Sequence, residues 1–110
     1  MFIDNYLKKL SEQAEDDNFE IKSSPIHGRG CFAKRDFKKG DFINNHFLPD
    51  DKITSFGAFL NHSPNPTAKS TKGSNGYDPV HALKDISKGD EITLDYTKRA
   101  DLEQPELNWN

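Results

Sequence analysis

Two stretches of the chain echo one another. "AKRDFKKGDFI" (33–43) and "ALKDISKGDEI" (82–92) share Ala, Asp, Lys, Gly, Asp and Ile at the same relative positions. Each reads as strand, tight Lys-Gly-Asp turn, strand, with glycine supplying a positive φ that other residues resist. Two copies cannot stack into a solenoid. Two ordinary turns would be the bland explanation; the echo suggests two similar β corners within one fold.

The rest of the sequence agrees. "FEIKSS", "RGCFAKR", "GDFINNHF", "VHALKDI" and "DEITLDY" are short and partly alternating, with turn residues between them, and read as strands. Asn75-Gly76 is a tight-turn signal between two strands. Only the N-terminus breaks the pattern. Ile3, Tyr6, Leu7, Leu10 and Ala14 recur at helical spacing after a candidate N-cap, Asp4, and predict a short amphipathic helix over about 4–15 that stops at Glu15, Asp16 and Asp17. The expected organisation is a helical segment at 1–18, a β domain at 19–97 and a tail at 98–110. With 33% hydrophobic and 30% charged residues the core must be thin, so eight Phe carry much of its volume.

Several function classes drop out. No apolar run approaches the roughly 18 residues of a membrane span, and the first residues lack a hydrophobic signal segment. The expectation is an intracellular protein: cytoplasmic, or in a host cell if virus-encoded. A single cysteine, Cys31, leaves no internal disulfide and no multi-cysteine zinc site, and His27, His46, His62 and His81 lack ligand spacing, so no metal is expected. A net charge of −3 argues mildly against nucleic acid and for a basic partner. Gly28-x-Gly30 is no dinucleotide fingerprint, because a turn and not a helix follows it. "KGSNG" lacks the Gly-Lys-Ser/Thr order of a phosphate loop, and no nucleophile elbow surrounds Ser63 or Ser70.

What remains is an ordered set. "HGRGCFA" (27–33), a Lys-Gly-Asp turn, "FLNHSPNP" (59–66) and "KGDEITLDY" (88–96) follow one another. In that order they resemble the motifs of the SET-domain family of protein lysine methyltransferases, over roughly Phe19 to Tyr96. The resemblance implies a mainly β SET-domain fold: several small sheets with a knot-like crossing that brings the Asn-His-Ser segment beside the C-terminal Tyr motif, plus the short N-terminal helix.

It also implies roles. His27, Gly28, Arg29, Gly30, Asn61 and His62 would hold S-adenosylmethionine. Tyr96 would be the catalytic residue at the mouth of the channel where a lysine of a protein substrate meets the methyl group. Where many members carry a Cys after Asn-His-Ser this chain has Pro64, and near His46 members often have a Tyr. The insert that forms the substrate groove is reduced to about "NNHFLPDDKITSFGA", and no cysteine-rich module follows Tyr96. Trp109 in the tail would cover the adenine in its place. The compact outline is similar to SET proteins of viruses and some bacteria. The thin core and short groove also admit a homodimer in which a partner chain completes the site. Two other readings fit the same residues: a SET-like module that binds peptide or cofactor with little or no turnover, and a β-rich interaction domain sharing only the turn motifs.

Overall fold

In the computed structural model, which describes residues 17–73 and 75–99, the two echoing stretches are built alike and pair with each other. Phe37 and Ile86 exchange backbone bonds (Phe37 N–H to Ile86 O, 2.8 Å; Ile86 N–H to Phe37 O, 2.9 Å). The Asp36 carboxylate accepts from the Lys88 N–H of the other corner at 2.8 Å, and Asp85 accepts from Lys39 at 2.9 Å. Gly40 N–H bonds Ala82 O and Gly89 N–H bonds Ala33 O, both at 2.8 Å. Their φ values, +94° and +95°, lie where a side chain is strained. Each bond in one corner thus has its counterpart in the other. The apolar residue of each copy, Phe37 or Ile86, is buried beneath the pair at 1% exposure.

The corners join two four-stranded sheets. One has the order β1 (Phe19–Ser23), β2 (Arg29–Ala33), β8 (Glu91–Leu94), β5 (Asn61–His62); the other runs β4 (Lys52–Ile53), β3 (Phe42–Leu48), β7 (Asp78–Ala82), β6 (Ala68–Ser70). All pairings are antiparallel except β5 with β8, which is parallel. Phe19 and Ile21 of β1, Cys31 of β2, Ile92 and Leu94 of β8, Ile43 of β3 and Val80 of β7 form the core with Phe56. Phe19 and Phe56 meet edge to face at 4.7 Å. This is the mainly β fold that the SET resemblance implies.

The five sequence-predicted strands are present, somewhat shortened. The Asn75-Gly76 signal is a turn, with Gly76 at φ +89° and Asn75 Oδ1 accepting from Tyr77 N–H. The two- and three-residue strands β4, β5 and β6 are too brief to leave a period in the sequence. Gly57, Ala58, Phe59 and Leu60 look uniformly apolar, but Ser55–Ala58 is one helical turn. Ala58 is turned outward and exposed, whereas Phe56, Gly57 and Leu60 are buried. Thr54 caps this turn, its hydroxyl accepting from Gly57 N–H at 2.8 Å. The predicted helix over 4–15 lies outside the described residues.

Candidate active site

The site grows from the parallel β5–β8 pair. Asn61 lies opposite Thr93 and His62 opposite Leu94. The Asn61 amide nitrogen donates to His27 O (3.1 Å), Arg29 O (3.2 Å) and Glu91 Oε2 (2.8 Å). It binds the Gly-x-Gly segment to β8. Glu91 is held from its other oxygen by Ser24, whose hydroxyl donates at 2.7 Å. The two glycines differ in purpose. A Cβ on Gly30 would stand 2.3 Å from Glu91 Oε2 and 2.9 Å from Asn61 Nδ2, so Gly30 serves this packing. A Cβ on Gly28 would meet nothing within 4 Å, and its φ is +47°. Gly28 therefore leaves open space at the surface of the cluster, while its carbonyl accepts from Ser24 N–H at 2.9 Å.

His62 carries the connection onward. Its Nδ1 accepts from Tyr96 N–H at 3.2 Å, which puts the neutral ring's proton on Nε2. Asp95 Oδ1 is 3.9 Å from the same nitrogen. The Thr97 hydroxyl, ahead of smaller contributions that include the Lys98 charge, holds the Asp95 carboxyl below the usual range. The Tyr96 hydroxyl donates to Leu60 O at 2.6 Å. Burial, and then the nearby Cys31, pushes that hydroxyl's pKa above its ordinary value. Thr67 secures the loop that leaves β5: its hydroxyl donates to Glu91 O and accepts from Thr93 N–H.

Tyr96 also lines a cavity of about 500 Å³. Pro64, Pro66, Leu83 and Leu94 form its apolar wall, and Lys69, Ser70, Asp95, Lys98 and Arg99 its polar one. Asn61 and His62 are not part of that lining. Behind Ser70 runs a buried polar network. Arg99 Nη1 donates to Ser70 Oγ (3.0 Å) and Asp78 Oδ2 (2.9 Å), and Ser70 Oγ lies 3.2 Å from His46 Nδ1. Since Arg99 occupies a lone pair of Ser70, the serine O–H is available to His46. The His46 ring is 6.0 Å from that of Tyr96 and stacks on Phe47 at 4.4 Å. Gly57 allows this, because a Cβ there would lie 2.4 Å from His46 Cδ2.

The family model of the SET domain matches residues 45–97. Over that segment, just under half of the chain, the sequence matches a SET domain. In fold, the chain resembles a crystal structure from Plasmodium falciparum provisionally named a histone methyltransferase, with a TM-score of 0.60, 23% identity, and 74% of this chain and 95% of that one covered. No curated protein matches the sequence.

Of the expected site residues, the fold brings His27, Arg29, Gly30, Asn61, His62 and Tyr96 into one connected set, with open space beside Gly28. Trp109 lies outside the described residues. The sequence reading weighed His46 and Ser70 but gave them no role, and missed Glu91, Asp78 and Arg99. Asp78 left a signal: it is in phase with Val80 and Ala82, both inward on β7, and a carboxylate at a core-facing position must find a partner. Arg99, beyond the last strand, left none. Among the described residues no helix is long and apolar enough to cross a membrane.

Proposed function

We propose that this SET domain is a methyltransferase that uses S-adenosylmethionine and acts on the side-chain amine of a lysine in a protein. The observation that supports this most is the joint at Tyr96, where its hydroxyl meets the Leu60 carbonyl one residue from Asn61 and its backbone is bound by His62. Two oxygens, one just before β5 and one just after β8, thereby converge beside the Gly-x-Gly cluster.

The residues present suit the cofactor. Gly28 leaves space for close approach, Arg29 is exposed and can meet a carboxylate, and Asn61 retains Oδ1 as an acceptor for an ammonium once its nitrogen is committed. When bound, S-adenosylmethionine supplies a methyl group on a positively charged sulfur, which a neutral amine takes in line with the breaking C–S bond. The chain's own work is to place and shield. Asn61 and Glu91 fix the Gly-x-Gly segment. His62 sets the direction of the chain into Tyr96. The Tyr96 hydroxyl, protonated at neutral pH, and the Leu60 carbonyl present oxygens to the reacting centre. The apolar wall of the Tyr96 cavity desolvates an entering amine and so favours its neutral form.

Incubation with labelled cofactor and a library of lysine peptides, read by mass spectrometry, tests the proposal. Labelled lysine is the expected result. In Tyr96→Phe, turnover should fall by about 100-fold or more, the scale for one oriented polar group, while the cofactor Kd from calorimetry stays within a few-fold. Cofactor binding without transfer to any lysine would instead leave a binding module, and no cofactor binding would refute both.

A further inference from the structure

The cavity that shows Tyr96 has an uneven charge. Three cations, Lys69, Lys98 and Arg99, line it against one carboxylate, Asp95. Arg99 is neutralised by Asp78, with both side chains largely buried. Asp95 is tied by the N–H and hydroxyl of Thr97, with the charge of Lys98 nearby. Lys69 and Lys98 are exposed. Among the described residues Lys69 has no ion pair, so its charge is available to whatever enters.

In-line transfer fixes which reactant enters there. The nucleophile must approach opposite the leaving sulfur, so acceptor and cofactor reach the methyl from opposite sides. Asn61, His62 and the Gly-x-Gly segment lie off the cavity, while Tyr96 borders both. The cavity is therefore the acceptor's side.

We infer that the acceptor lysine sits in an acidic segment, with Asp or Glu side chains flanking it that pair with Lys69 and Lys98. This rests on the methyltransferase reading above and specifies its substrate. A lysine with basic neighbours would add like charges to those of the wall, whereas one with carboxylates beside it replaces that repulsion with ion pairs. The same two cations disfavour the ammonium form of the entering amine and so favour the form that reacts. The chain's net charge of −3 points the other way, but charges beyond about 8 Å are screened at physiological ionic strength. Near Tyr96 the local cations decide.

The test uses the full chain, S-adenosylmethionine and peptides with one central lysine and acidic, neutral or basic flanks. Exposed pairs contribute roughly 2- to 5-fold each, so two should favour acidic over neutral flanks by roughly 4- to 25-fold in kcat/KM. High salt should erode the preference. Lys69→Glu with Lys98→Glu should abolish or invert it, with cofactor affinity by calorimetry unchanged. Preference for neutral or basic flanks, or a double variant that keeps the acidic preference, would overturn the inference and leave the methyltransferase reading standing. So would a double variant whose main defect is in cofactor affinity, which would put the cavity on the cofactor's side. Transfer to no peptide of any kind would remove the underlying reading and the inference together.

Discussion

Gly30→Ala probes the joint between the Gly-x-Gly segment and β8 most directly. The added methyl would be 2.3 Å from Glu91 Oε2, whereas carbon and oxygen rest at roughly 3.5 Å. The carboxylate must retreat by about 1 Å, which carries its bonds to Asn61 and Ser24, now 2.8 and 2.7 Å, past hydrogen-bonding distance. A bond to a charged group contributes about 1.5–3 kcal/mol. Glu91 is only half-buried and regains water, and alanine lowers the entropy of the unfolded chain by about 0.4–1 kcal/mol in the variant's favour. The net cost should be about 2–3 kcal/mol, out of about 5–15 for a domain of this size. Urea unfolding followed by circular dichroism should show a midpoint lower by about 1–2 M at unchanged slope. The decisive comparison is made in a Glu91→Ala background, where the obstructing carboxylate is gone and the Gly30→Ala step should cost under about 1 kcal/mol. An equal penalty in both backgrounds, or none in the parent, would refute the packing explanation of this glycine.

Three further outcomes are expected. Arg99→Ala should cost about 2–3 kcal/mol, because it strands the largely buried Asp78 carboxylate; pairing it with Asp78→Asn should recover more than half, measured by the same unfolding assay. Stability should decline as pH rises above about 8.5 and further above about 10. Cys31 and Tyr96 both have raised pKa values, chiefly through burial, so the unfolded chain loses these protons before the folded one does and the folded state is disfavoured; Tyr96→Phe should flatten the upper part of a urea-midpoint profile from pH 7 to 11. The Cys31 thiol, fully buried and donating to Phe56 O at 3.3 Å, should react with a disulfide reagent at least about 1,000-fold more slowly in the native protein than in urea, and equal rates would show that β2 opens readily.

The sequence by itself determined the strands, the corners and the order of the motifs. Alternation and turn glycines are local: a residue's face and its φ depend on near neighbours, so "FEIKSS", "DEITLDY" and the two Lys-Gly-Asp turns were legible directly. The echo even implied similar corners, though not that they bond to each other. Tertiary structure decided what meets across the fold. Asn61 reaches His27, Arg29 and Glu91 over 30 or more residues, and His46, Ser70, Asp78 and Arg99 assemble from four separate places. No local period records such contacts. The same holds for β4, β5 and β6, two- and three-residue strands that exist because longer strands supply the other half of their hydrogen bonds. Charge divides in the same way. The sequence sets the total at −3, but only the folded chain places Lys69 and Lys98 on the cavity that Tyr96 shares, because a local field depends on distance and screening, which the sum of charges does not contain.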